Sequence, residues 1–234
     1  RVMAQVVYYF EATRKMGGPI DVTVPTGNFG NVLSGWIAKQ MGAPIRRLIV
    51  ASNENDILTR FFASQSMAIT GVHPTLSPSM DIQVSSNFER LLFEMNDRDG
   101  AVTAEQLTRF RGKGLSVEPD QYEQWIAPTF RASRATDHDT LATIRSVYED
   151  FDMLIDPHTA VGVKVAREFA EDGMPMLTMA TAHPAKFPDA VERATGVRPG
   201  LPEHLSNLFD LPEFTVQLPN DLATVEAFVA AQAK

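Results

Sequence analysis

The sequence predicts an α/β fold: a mainly parallel, twisted sheet flanked by helices. Three observations carry this. A strand, a glycine-bearing loop, a helix and a second strand follow one another within residues 19–52. That order is a βαβ unit, which implies parallel strands and a right-handed crossover. Capped amphipathic helical segments alternate with the strand-like runs. Two later apolar segments, "DMLID" as a short approach and "MPMLTMA" as a buried strand, also leave into polar loops, as strands sharing one sheet edge do.

The elements follow in chain order. "RVMAQVVYYFEATRKMGG" has apolar residues at helical spacing, but nothing ahead of it serves as a cap, so the chain is expected to begin inside a helix of a longer protein. "PIDVTV" is a β-branched strand and "VLSGWIAKQMG" a helix ending at Gly42; "PIRRLIVAS" is the second strand. "NENDILTRFFASQ" turns helical after capping residues, and "GVHPTLSPSMD" is a Pro/Ser-rich loop. "SSNFERLLFEMND" opens on a capping box, Ser86 with Glu89, and presents Phe88, Leu91, Leu92 and Met95 as a core stripe. Residues 98–150, with a cap at Thr103, form a helical insert or cover between an α/β core over 1–97 and the remaining core with a C-terminal helix over 151–234.

Composition narrows the function. The 234 residues are 44% hydrophobic, enough for a sizeable core. The net charge of −8 without a basic stripe excludes nucleic acid as an expected partner. No cysteine is present, which removes disulfides, thiolate catalysis and Cys-bearing metal sites. His73, His138, His158, His183 and His204 include no pair at metal-binding helical spacing, so no metal is expected. No apolar run reaches the roughly 20 residues of a membrane span, and no secretory signal is visible; a cytoplasmic protein without membrane contact is expected.

Chemistry concentrates in three loops. In "PTGNFGN", Gly27 and Gly30 permit backbone geometries closed to other residues, and successive N–H groups running into a helix N-terminus make an anion cradle supplemented by Asn28 and Asn31. The loop lacks the lysine of a P-loop and the spacing of a dinucleotide fingerprint. Taken alone, it fits a plain strand-to-helix turn as well. In "DPHTAVG", Asp156 and Thr159 either cap a helix or border a pocket, and His158 either binds an anion or moves a proton. In "TAHPAKF", the Thr181 hydroxyl needs a partner. Lys186 sits in a Pro-flanked loop with no sign of desolvation, which favours a surface role over Schiff-base chemistry.

These blocks carry a family likeness. "VPTGNFGNVLSGWIAKQMGAPIRRLIVASNENDILTRFF", "TLSPSMDIQVSSNFERLLFE", "DPHTAVGVKVA" and "TAHPAKFPDAV" resemble, in order, segments of the bacterial and fungal branch of threonine synthases. The resemblance implies a fold-type II pyridoxal 5′-phosphate enzyme that converts O-phospho-L-homoserine and water to L-threonine and phosphate. It implies that Gly27, Asn28, Phe29, Gly30 and Asn31 hold the cofactor phosphate and that Thr181 faces the pyridine nitrogen. Asp156, His158 and Thr159 would border the pocket, and Asn53, Asn55 and Arg90 are candidates for the substrate's phosphate. The family's Schiff-base lysine lies in an N-terminal half that precedes Arg1, so no catalytic residue is expected here and the fold would be incomplete. The chain alone is expected to be inactive, and its parent a monomer or weak homodimer acting on a small molecule. The alternatives are a threonine- or serine-dehydratase-like enzyme of the same fold, a tryptophan-synthase-like β subunit, or a non-catalytic phosphate-binding module.

Overall fold

The computed structural model describes residues 1–233, in two compact units, Arg1–Pro199 and the segment from Gly200 onward. In the first unit, α1 (Val2–Met16) leads to β1 (Ile20–Pro25), α2 (Gly30–Gln40), β2 (Ile45–Ser52) and α3 (Ile57–Ser64). β3 (Ser66–Met67) precedes α4 (Phe88–Met95) and α5 (Gly100–Lys113) and pairs antiparallel with β4 (Leu115–Ser116). α6 (Pro119–Gln121) continues into a π turn over Tyr122–Ile126, then β5 (Phe130–Arg134), α7 (Asp137–Phe151) and α8 (Pro157–Phe169). β6 (Met176–Thr178) and α9 (Pro188–Thr195) close the unit. The second unit holds 3-10 turns and α10 (Leu222–Gln232), whose cap Asp221 accepts from the Thr224 amide at 2.9 Å. Of the C-terminal helix expected to run to the end, Lys234 lies outside the described residues.

The main sheet is four-stranded in the order β5–β2–β1–β6, and every pairing is parallel. β1 is buried along its whole length because α8 and α2 lie on opposite faces of the sheet. Alternation sorts the side chains. Val22, Val24, Leu48 and Val50 face the core shared with α2, α3 and α4, while Ile49 and Ala51 pack against Val161 and Val165 of α8. Gly162 permits the close approach of α8, since a Cβ there would lie 2.8 Å from Thr178 Cγ2 and 3.0 Å from Pro25 Cγ. Gly35 does the same for α1 on α2, because a Cβ would sit 2.6 Å from the Tyr9 ring.

Several expectations are corrected. "DMLID" is not a strand; the chain passes from α7 to α8 through an extended connection, so only two of the three polar loops leave a strand. β6 is not a buried strand but a half-buried edge strand. The segment 98–150, expected as helical, also contains β5, which pairs with β2 from Leu48↔Phe130 to Ser52↔Arg134. The Ser86–Glu89 capping box does not form. α4 begins after Asn87, and the Ser86 hydroxyl donates to Asn28 Oδ1 at 3.3 Å instead. α5 is capped by Asp99, which accepts from the amides of Ala101 and Val102, and not by Thr103, which lies inside the helix.

Candidate functional site

The loop after β1 owes its shape to one anchor and one clamp. Phe29 occupies the left-handed region at φ 61°, strained for a residue with a Cβ, and serves as N-cap of α2 without a side-chain cap. Its ring is buried edge-to-face on Phe88, with centroids 5.2 Å apart, and close to Phe130. This packing offsets the backbone strain. The positive φ thus falls on Phe29 rather than on either glycine, against the sequence expectation. Gly27 is required for a different reason: a Cβ there would lie 2.7 Å from the Ser79 carbonyl oxygen. At Gly30 the nearest neighbour to a Cβ would be Asn87 Nδ2 at 3.4 Å, an ordinary contact.

The clamp fixes which way the peptides face. Ser85 Oγ donates to the Gly27 carbonyl at 2.8 Å. The Asn28 carbonyl accepts from Asn87 N at 3.1 Å and Asn87 Nδ2 at 2.8 Å. The Phe29 carbonyl accepts from Leu33 N at 3.0 Å. In a trans peptide the N–H points opposite to the carbonyl, so the amides face away from these partners. Among the described residues, no acceptor meets any N–H from Gly27 to Val32. These amides lie at the N-terminus of α2, where the helix dipole adds partial positive charge.

The amides open onto a cleft of about 690 Å³. Gly27, Asn28, Phe29, Gly30 and Asn31 of the loop after β1 form one wall of its lining and Met179, Ala180 and Thr181 after β6 another, and Ser86, Asn87 and the start of α1 also line it. The Tyr9 hydroxyl is 2.7 Å from Asn31 Oδ1 and 2.9 Å from the Asn31 carbonyl. Holding Oδ1 this way leaves the Asn31 amide nitrogen as a donor, and burial pushes the Tyr9 phenol far above its usual range. Thr181 is exposed at the cleft wall.

Asp156, His158 and Thr159 do not line the cleft; they are buried behind it. Asp156 caps α8: Oδ1 accepts from His158 N at 2.9 Å, and Oδ2 accepts from Thr159 N at 3.4 Å and from the Thr159 hydroxyl. Burial alone would raise the Asp156 carboxyl, yet these bonds and His158 hold it below the usual carboxylate range. Both nitrogens of His158 are committed. Ser79 N–H donates to Nε2 at 3.2 Å, so Nε2 is the acceptor and Nδ1 carries the proton it shares with Asp156 at 2.9 Å. A ring so placed has no nitrogen left for a ligand.

The other candidates also have occupations. Asn53 donates to Thr75, Ser77 and Asp81, while Asn55 spans His73 and Asp81, so both anchor the 73–81 loop. Arg90 is exposed beside Asn87, and Lys186 stands 5.9 Å over the Phe187 ring; neither lines the cleft. The clamp residues Ser85 and Asn87 and the packing residue Ser79 escaped sequence reasoning. For Ser85 and Asn87 the signal is a polar run directly ahead of a helix; Ser79 lies in the Pro/Ser-rich loop.

A parallel sheet whose glycine loop presents bare amides at the carboxyl edge of its strands is the architecture of the fold-type II pyridoxal-phosphate enzymes. A threonine deaminase from Solanum lycopersicum shares the fold at a TM-score of 0.54 and 12% identity. Much nearer is the structure of pyridoxal-phosphate-bound threonine synthase from Brucella melitensis, with a TM-score of 0.93 and 47% identity, covering 100% of this chain and 51% of that one. The yeast threonine synthase structure gives 0.82 and 35%, covering 91% and 48%. In sequence, the threonine synthase of Pseudomonas aeruginosa is 48% identical over 98% of this chain and 50% of its own length. That of Corynebacterium glutamicum is 41% identical over the same shares. The family described as "Threonine synthase, C-terminal" matches residues 159–229. The chain belongs to the threonine synthase family, and it spans about half the length of the curated relatives it matches.

Proposed function

We propose that the chain supplies the phosphate-holding half of a pyridoxal-phosphate site, and that its parent protein converts O-phospho-L-homoserine and water to L-threonine and phosphate. The observation that carries this reading is the run of unpartnered amides from Gly27 to Val32, with carbonyls held on the opposite side by Ser85, Asn87 and Leu33. A phosphate dianion meets such a cradle without a cationic side chain in the loop. The bound cofactor supplies an electron sink for the carbanions of a β,γ-replacement. Gly27, Asn28, Phe29, Gly30 and Asn31 hold its phosphate through their N–H groups, and Asn31 adds its side-chain amide. Thr181, which lines the same cleft, would face the ring nitrogen, and its neutral hydroxyl would leave that nitrogen largely unprotonated. In the net reaction the phosphate leaves from Cγ and water adds at Cβ.

The full-length gene product is expected to release inorganic phosphate from O-phospho-L-homoserine with an equal amount of L-threonine. Deamination of L-threonine or L-serine without phosphate release, by protein that binds the cofactor, would move the reading to the dehydratase class. Lys186→Ala is expected to leave cofactor affinity unchanged, because Lys186 lies away from the cleft lining. Loss of cofactor binding in that variant would count against the assigned cradle.

A further inference from the structure

We propose that His158 and Asp156 are positioning residues that tie the two walls of the cleft to one buried point, the N-terminus of α8. The inference rests on the cofactor reading above and concerns residues that touch neither cofactor nor substrate.

One arm runs to the phosphate side. His158 Nε2 accepts the Ser79 amide at 3.2 Å, and the Ser79 carbonyl lies where a Cβ on Gly27 would be, 2.7 Å away. The backbone at Ser79 is therefore the surface on which the glycine turn rests. The other arm runs to the ring side. Asp156 accepts the Thr159 hydroxyl, and Thr159 Oγ1 in turn accepts the Thr181 amide at 3.4 Å. The arms meet where His158 Nδ1 and Asp156 Oδ1 lie 2.9 Å apart. His158 and Asp156 are 4% and 0% exposed. An Asp N-cap alone explains the bonds to the amides of His158 and Thr159. It does not explain a histidine buried there with each nitrogen assigned to a different partner. A neutral imidazole, one donor and one acceptor, suits a bridge between a carboxylate and a backbone N–H.

The test uses the full-length protein, with pyridoxal phosphate titrations and amide hydrogen exchange of the apoprotein. His158→Phe keeps the ring packed on Phe187, now 4.7 Å between centroids, and removes both ring hydrogen bonds. It is expected to weaken cofactor binding roughly tenfold and to speed exchange at Asn87 N, which bonds to Asn28 of the cradle. His158→Gln, which keeps one donor and one acceptor, is expected to restore both to within about threefold of wild type. Thr159→Val is expected to speed exchange at Thr181 N and shift the absorption of the bound cofactor while leaving Asn87 unchanged; Thr159→Ser should behave as wild type. Wild-type affinity and wild-type exchange at Asn87 in His158→Phe would overturn the proposal. If that variant does not fold, the Thr159 pair decides, and an unchanged Thr181 exchange in Thr159→Val overturns it. Failure of the unmutated protein to bind pyridoxal phosphate would overturn the cofactor reading alone, since the exchange measurements still judge the coupling.

Discussion

Gly27→Ala is expected to weaken cofactor binding by roughly two orders of magnitude, the scale on which misplacement by about 1 Å is felt in a preorganised site. The added methyl would start 2.7 Å from the Ser79 carbonyl oxygen and 3.3 Å from Met80 Cα. Both neighbours are backbone, so no rotamer change relieves the clash. Residues 77–80 are themselves held by Asn53, Thr75 and Asp81, so the glycine turn must move. Its movement strains the bonds from Ser85 and Asn87 that aim the amides. Overpacking of this kind costs about 1–3 kcal/mol of stability. Gly30→Ala is the informative contrast. Its methyl meets only Asn87 Nδ2 at 3.4 Å, at the first position of α2, where alanine is the better helix former. Stability should hold, so any lost affinity there measures how closely the ligand approaches the backbone. Thermal melts with cofactor titrations of both variants check this. Equal affinities for Gly27→Ala and wild type would remove the cradle from the argument.

The contrast shows where sequence reasoning reached and where it stopped. The βαβ unit was legible because "PIDVTV" and "PIRRLIVAS" are continuous β-branched runs and the intervening helix is strongly periodic. The loop stands out in the sequence as a candidate site because its composition is odd at a strand's end. The reason for its glycines was not, because Ser79 is more than 50 residues away and its backbone, not its side chain, makes the contact. The same distance hid the capping behaviour. Ser86 and Glu89 have the spacing of a box, but Asn28 competes for Ser86. Thr136 and Asp139 have no such competitor, and their box forms. Asn53 and Asn55 read as helix-starting residues, yet α3 begins only at Ile57 because both amides serve the 73–81 loop. β5 was masked by Arg131 and Arg134, which a strand at the sheet edge tolerates beside buried Phe130. "DPHTAVG" is unusual in composition. Its polar groups are spent behind the cleft wall, a distinction that only the direction of side chains reveals.

Asp21→Asn is expected to be the most destabilising conservative change in the sheet, and to act without touching the cleft. Asp21 is the second residue of β1, near the strand end opposite the glycine loop, with its side chain 1% exposed. It accepts from Arg46 at 2.5 Å and from Arg47 at 2.5 Å, and both arginines also reach Glu171. Burial alone would raise its carboxyl, but the two guanidiniums hold it below the usual carboxylate range. A depressed folded value means that the stabilisation is present above the unfolded pKa and is lost as pH falls through the folded one. Urea unfolding of the full-length protein near neutrality should therefore show a loss of about 2 kcal/mol in Asp21→Asn, the cost of replacing charge-assisted hydrogen bonds by neutral ones while the guanidiniums keep Glu171. The difference between variant and wild type should shrink as the pH drops below the ordinary aspartate range, because protonation then does to the wild type what the substitution does to the variant. A difference independent of pH would mean that Asp21 contributes through packing and not charge. Cofactor affinity at neutral pH should remain that of wild type, since the parallel strands place this ion cluster at their amino ends and the amide cradle at their carboxyl ends.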